Sequence, residues 1–222
     1  MRPIVDDASP QRTGVREMDS LDLTEPVGAP DEINGARATQ YLLLANLFSR
    51  APTSALIRDL ADIRGDASPL GLALLTLANA ARATDQTAVA KEYLELFVGV
   101  SRGEILPYAS FYLTGFLHER PLARVREDMA RLQIERRSGV FEPEDHIASL
   151  FEIMAGLIGG SMAEPGQSSK VADKFFERHI ALWAPRLMQD VAAAPSARFY
   201  AHVARLGAIW LEIEQEAVRL PE

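Results

Sequence analysis

The run Phe141-Glu-Pro-Glu-Asp-His-Ile147 puts three carboxylates, Glu142, Glu144 and Asp145, beside the imidazole of His146. Carboxylates this dense suit the reception of cationic groups through charge-assisted hydrogen bonds. A purely local explanation covers part of the run. Pro143 fits the first position of a helix, Glu142 its cap, and Glu144 and Asp145 the positive end of its dipole. His146 is left over, because a cation is unfavourable at a helix start. Its ring is expected to be neutral, or paired with a neighbouring carboxylate. A second dense patch lies upstream. Tyr93-Leu-Glu-Leu96-Phe97 runs into Gly99, and Leu106-Pro107-Tyr108-Ala-Ser110-Phe-Tyr112 follows, continuing to Phe116. From the residues alone this patch is either a buried helix start or a partly exposed aromatic groove that holds an apolar peptide.

Other chemistries can be tested by spacing. Gly99-Val-Ser101-Arg-Gly103 has the Gly-x-Ser-x-Gly form of a nucleophile elbow, which needs a strand before the serine. The residues before it are helical in period, so the glycines read as a helix end and a loop. The histidines are His118, His146, His179 and His202, and the residues three positions before them are Gly115, Pro143, Phe176 and Phe199. The Glu-x-x-His pairs of di-iron bundles are therefore missing, as is His-Glu-x-x-His. His179 and His202 are expected on helix surfaces or edges. No phosphate-binding glycine motif is present.

Apolar spacings of three and four define the elements that position these residues. Helices are predicted over Glu32 to Arg50, Thr53 to Ile63, Pro69 to Ala83 and Asp85 to Val98. A further helix carries Leu122, Val125, Met129 and Leu132 and ends near Gly139. Another follows Pro143 with Ile147, Leu150, Phe151, Met154 and Leu157. One with Phe176, Ile180, Trp183 and Leu187 is kinked or broken at Pro185. The last carries Phe199, Val203, Leu206, Trp210 and Ile213. No convincing strand and no internal repeat is found. The expected fold is all-α, a compact globular bundle of about eight or nine helices. Residues 1–31, rich in Asp, Glu, Pro and Gly, read as a disordered acidic tail. Residues 32–222 read as a single helical domain with a hinge near 139–143.

The chain of 222 residues is 48% hydrophobic, which suffices for one sizeable core. Its net charge of −8 argues against nucleic acid and suits basic ligands. There are no cysteines, which removes disulfides and thiolate chemistry and fits a cytoplasmic protein. The longest apolar-rich run, Leu70 to Ala81, falls short of the roughly 18 residues of a membrane span. No signal peptide is read at the start. Arg136-Arg137 reads as a surface pair at the end of a helix.

The set Tyr93-Leu-Glu-Leu-Phe97-Val-Gly99, Leu106-Pro107-Tyr108-Ala-Ser110-Phe-Tyr112 and Glu142-Pro143-Glu-Asp145-His146 resembles the TorD/DmsD/NarJ family of molybdoenzyme maturation chaperones. The order of Phe176-Glu-Arg-His179, Trp183-Ala-Pro185 and Phe199-Tyr200 resembles that family's C-terminal pattern. The resemblance implies an all-helical protein without enzymatic turnover. It implies a partner, the catalytic subunit of a molybdoenzyme, whose twin-arginine signal peptide or core is bound in the cytoplasm until the molybdenum cofactor is inserted. It implies a peptide-binding site at Glu142, Pro143, Asp145 and His146, with an apolar wall at Tyr93, Leu96, Phe97, Pro107, Tyr108, Ser110 and Tyr112. No cofactor is implied beyond the weak GTP binding of some members. Some members carry Trp where this chain has Tyr93 and Tyr108, which bears on peptide preference. Partners expected to be absent are nucleic acid and membrane, and the state is a monomer or homodimer. Two other classes compete: a hydrolase, and a helical adaptor that binds a mature client domain without an export role.

Overall fold

The computed structural model describes residues 32–136, 142–162 and 168–219, with the backbone of 16–17. It is all-α, with ten α-helices among the described residues. These are α1 (Glu32–Ser49), α2 (Ser54–Ala61), α3 (Pro69–Arg82), α4 (Gln86–Tyr93), α5 (Ala109–Thr114), α6 (Arg120–Arg131), α7 (Ile147–Ile158), α8 (Ser168–His179), α9 (Ala184–Ala193) and α10 (Phe199–Arg219). The excess over the predicted number has two sources. A short α5 forms inside the aromatic patch, and the break at Pro185 separates α8 from α9, with the proline in the first turn of α9. The only strands described are two residues each, β1 (Arg16–Glu17) and β2 (Ile134–Glu135), paired in parallel. The rest of the predicted tail and the segment 137–141, which contains Arg137 and part of the predicted hinge, lie outside the described residues.

Helix α7 is the centre of the fold. Apart from Ser149 and Glu152 its sequence is apolar, and ten of its residues are buried. It packs against α1 and α8, while α10 packs against α3, α4, α9 and the start of the bundle in α1. Three carboxylates, Glu214 and Glu92 buried and Asp128 partly so, lock these layers. Glu214 of α10 accepts both Nε and Nη2 of Arg37 at 2.9 Å and the Tyr41 hydroxyl at 3.0 Å. Glu92 of α4 accepts the backbone N–H groups of Arg198, Phe199 and Tyr200 at 2.8, 3.0 and 2.7 Å. It thus caps α10 from a different helix, where the free N–H groups and the dipole favour an anion. Asp128 of α6 accepts His179 Nε2 at 2.7 Å and Arg178 Nε at 3.2 Å.

Four sequence expectations are corrected here. α7 begins at Ile147, so Pro143 does not open it and Glu142 does not cap it; Pro143–His146 is a turn closed by His146 N–H on the Pro143 carbonyl at 3.0 Å. α6 ends at Arg131, well before Gly139, because Gln133 takes a positive φ of 57° and the chain turns into β2. His179 is buried, with its ring N held by Asp128 and its carbonyl by Trp183 Nε1 at 2.6 Å, so it is no surface residue. On α10 the inward stripe runs from Trp210 to Glu214, and Ile213 faces outward. The spacing permits either phase, and the Arg37 and Tyr41 partners decide it.

Candidate functional site

The two motif segments are stitched to each other through their backbones. Ala109 N–H donates to the Asp145 carbonyl at 3.0 Å, and Ile147 N–H donates to the Pro107 carbonyl at 2.9 Å. Tyr108 and His146 form an antiparallel bridge between these bonds, with their rings 5.0 Å apart edge to face. Asp145 turns its side chain inward, where Oδ2 accepts Ser110 N–H at 2.8 Å and the Ser110 hydroxyl. Both residues are buried. The carboxylate therefore caps α5. His146 caps α7 instead, through Nδ1 accepting Ala148 N–H at 3.1 Å. Asp145 and His146 thus serve two different helices rather than each other.

Burial holds the His146 imidazole down at about 4, so it is neutral at neutral pH, as a ring at a helix start should be. Its unfolded value is near 6.5. Between these values the unfolded chain binds the extra proton, so stability is full above the unfolded value and falls as the pH drops. The expected loss from this one group between pH 7 and pH 5 is about 2 kcal/mol. Replacing His146 with Asn, a good cap that does not titrate, is expected to flatten that limb. Urea unfolding of both proteins at the two pH values measures it, and equal slopes would remove His146 as the cause.

Around this stitch lies a pocket of about 480 Å³. One wall comes from the end of α4 and the π-helical turn that follows it, Leu94–Val98, and supplies Tyr93, Phe97 and Val98. Such π-turns concentrate at functional sites. Tyr93 and Phe97 are backed by Phe48 and Tyr200, with ring centroids 5.1 to 5.9 Å apart, and Tyr93 donates to the Phe48 carbonyl at 3.3 Å. Burial, with Glu142 nearby, pushes the Tyr93 hydroxyl up to about 12, so it stays protonated as a donor. Gly99 ends the turn at φ 64°, where a Cβ would meet the Arg102 carbonyl oxygen at 2.1 Å. A Cβ on Gly103 would lie 2.5 Å from the Phe97 backbone. The glycines of the Gly-x-Ser-x-Gly run are thus needed for chain path, and Ser101 sits on an exposed bend with no strand before it.

The lining also carries charged side chains. Glu142 accepts the Tyr108 hydroxyl, and partial burial raises its carboxyl above the usual value. Glu144 pairs with Arg126 at 2.9 Å and, more loosely, with Arg136 at 3.7 Å. Arg50, Ser149 and Glu152 complete the lining with Ser49, Met129, Ala148 and Ile153.

Of the residues singled out from the sequence, Tyr93, Phe97, Pro107, Tyr108, Glu142 and His146 line this pocket. Leu96, Ser110 and Asp145 lie in the interior behind it. Pro143 is in the turn beside it, half-buried, outside the lining. Tyr112 faces elsewhere, donating to Asp190 at 3.1 Å and stacking near Trp183. Sequence reading did not select Arg50, Arg136, Ser149 or Glu152. Starting α7 at His146 would have put 146, 149 and 153 on one face at spacings of three and four, so Ser149 was within reach. Arg50 arrives from α1 and only the packing brings it there.

The sequence family described as nitrate reductase delta subunit matches residues 64–189, which span all of the pocket segments except Ser49 and Arg50. The chain belongs to this family, the NarJ/TorD family of maturation chaperones that its motifs resemble. It is 28% identical over 193 residues to the chaperone protein TorD of Vibrio atlanticus, covering 78% of this chain and 90% of that one. It is 24% identical over 207 residues to TorD of Vibrio cholerae serotype O1 El Tor Inaba, covering 84% and 93%. The crystal structure of a candidate redox enzyme maturation protein from Archaeoglobus fulgidus shares the fold, with a TM-score of 0.53 at 18% identity, covering 79% of this chain and 93% of that chain. No helix among the described residues is long and apolar enough to cross a membrane.

Proposed function

We propose that the protein is a cytoplasmic maturation chaperone that binds the twin-arginine signal peptide of a molybdoenzyme catalytic subunit, and holds that subunit until its molybdenum cofactor is in place. The observation that carries the reading is the mixed lining of the pocket. Carboxylates of Glu142, Glu144 and Glu152 line it together with the ring and aliphatic surface of Tyr93, Phe97 and Val98. A basic n-region followed by an apolar stretch has matching chemistry. At about 480 Å³ the pocket takes a few side chains rather than a whole peptide. The contact is therefore centred on the arginine pair, and the apolar stretch continues over the exposed Val98 and Val100. The similarity to TorD chaperones supports the same reading.

Calorimetric titration with a twin-arginine signal peptide, against a Lys-Lys version, tests it. Saturable binding that the lysine pair weakens is expected. Glu142→Gln is expected to weaken binding about tenfold, the worth of one charge-assisted hydrogen bond. Glu142 is exposed, so the melting temperature should stay the same. Absence of binding to both peptides would end this reading. A second reading, docking of a mature client domain, is favoured by Leu113 in the last turn of α5 and Phe116 and Leu117 just after it, apolar side chains that are exposed and outside the pocket. Under that reading Phe116→Ser weakens capture of the mature subunit, and Glu142→Gln leaves it unchanged.

A further inference from the structure

The acidic end of the pocket already holds a guanidinium from its own chain. We propose that Arg136 is a built-in stand-in for a guest arginine, seated on Glu144 Oε1 and the Glu142 carbonyl, and that a cationic guest binds by displacing it. The inference rests on the peptide-binding reading above and adds to it how the site is kept when empty.

The two arginines that reach Glu144 are not equivalent. Arg126 places Nε and Nη2 both at 2.9 Å from Oε2, a short contact that fixes the carboxylate from the α6 side. Arg126 is not part of the pocket lining. Arg136 does line the pocket, and it takes the other oxygen, Oε1, at 3.7 Å, with its second contact a 3.3 Å bond to the Glu142 carbonyl. Its side chain is 38% exposed, whereas Glu144 is only 13% exposed. Oε1 is thus a largely shielded acceptor, served by a long and solvent-accessible partner. An anchor on one oxygen and a loose occupant on the other is the arrangement of a seat that can be exchanged without freeing the carboxylate itself.

The arrangement also has a physical use. An empty recess would leave Glu144 Oε1 unserved in a partly desolvated place, with Arg126 on the other oxygen alone, which is costly. A self-supplied guanidinium removes that cost between clients. Its own weakness keeps the seat available. An exposed ion pair of this kind fills a seat for more than half of the time and about four-fifths at the upper end, which limits the penalty on a guest to about fivefold. Both contacts of Arg136 come from one nitrogen, Nη1, so any guest cation that takes Oε1 and the Glu142 carbonyl must displace it.

The test is calorimetric titration of the wild type, Arg136→Gln, Arg136→Lys and Arg50→Gln with the twin-arginine peptide and its Lys-Lys version, with melting curves recorded for each. Arg136→Gln is expected to tighten both peptides by a similar factor, up to about fivefold. Arg136→Lys, which keeps a charge that can still reach the seat, should fall between the wild type and Arg136→Gln. Arg50→Gln removes a pocket cation that does not touch Glu144, and should leave both affinities nearly unchanged. Equal gains in Arg136→Gln and Arg50→Gln would mean simple charge repulsion and overturn the proposal. So would weaker binding by Arg136→Gln with an unchanged melting temperature, which would make Arg136 part of the guest's own contact. If wild type binds and Arg136→Gln is no tighter, this inference alone falls. If neither protein binds either peptide, the peptide-binding reading falls with it.

Discussion

Replacing Glu92 with alanine is expected to cost about 3 kcal/mol of stability, the loss of several charge-assisted bonds to buried donors. Three consecutive N–H groups at the start of α10 depend on this one carboxylate. Its neighbours leave little room for water, since Phe199 and Tyr200 are both buried. Glu92→Gln keeps an acceptor oxygen but loses the charge that faces the helix dipole, and should cost roughly half as much. The consequence extends to the pocket. Tyr200 braces Phe97 and Tyr93 from behind, so loosening α10 loosens the aromatic wall. Denaturant unfolding read by circular dichroism measures the effect. A midpoint unchanged in Glu92→Ala would mean that α10 keeps its place without this cap, and the account of the α4–α10 lock would be wrong.

Asp145→Ala is expected to abolish peptide binding for a reason unlike that of Glu142→Gln. It should destabilise the protein by about 3 kcal/mol, because Ser110 loses both its backbone and its hydroxyl partner in a buried place. The bridge that joins Pro107–Ala109 to Asp145–Ile147 then has one side chain fewer to hold it, and Tyr108 and His146 lose their relative position. Asp145→Asn retains an acceptor for Ser110 N–H and should cost about 1 kcal/mol, with binding preserved. Glu142→Gln should do the reverse and lower affinity at constant stability. Unfolding and titration on the same three variants separate the two roles. An Asp145→Ala protein that melts like the wild type yet no longer binds would place the carboxylate on the guest itself, contrary to its inward direction here.

Much of this architecture is legible in the sequence, since helical periodicity is a local property. The stripe Ile147, Leu150, Phe151, Met154 and Leu157 announces a helix, and a segment with only Ser149 and Glu152 polar suits a central one. Pro185 marks the break between α8 and α9, and Gly99 marks the end of the aromatic segment at a left-handed backbone angle. A neutral His146 is one of the two states its place near a helix start allows, and burial decides between them. The motifs suffice to indicate the family, and the match over 64–189 agrees.

Where a carboxylate points is not local. Glu142, Glu144 and Asp145 are adjacent in sequence and read alike, yet one meets Tyr108, one meets Arg126 and Arg136, and one is buried against Ser110. Glu92, Asp128 and Glu214 look like surface charges on amphipathic helices until α10, α8 and α1 bring donors to them. A desolvated carboxylate is stable only where several donors converge, and these donors are separated from it by tens of residues or more. The sequence by itself determined the helices, their apolar faces and the chemical inventory of the site. The tertiary structure decided which charges became struts and which were left facing the pocket, because that depends on partners that only the packing of distant helices supplies.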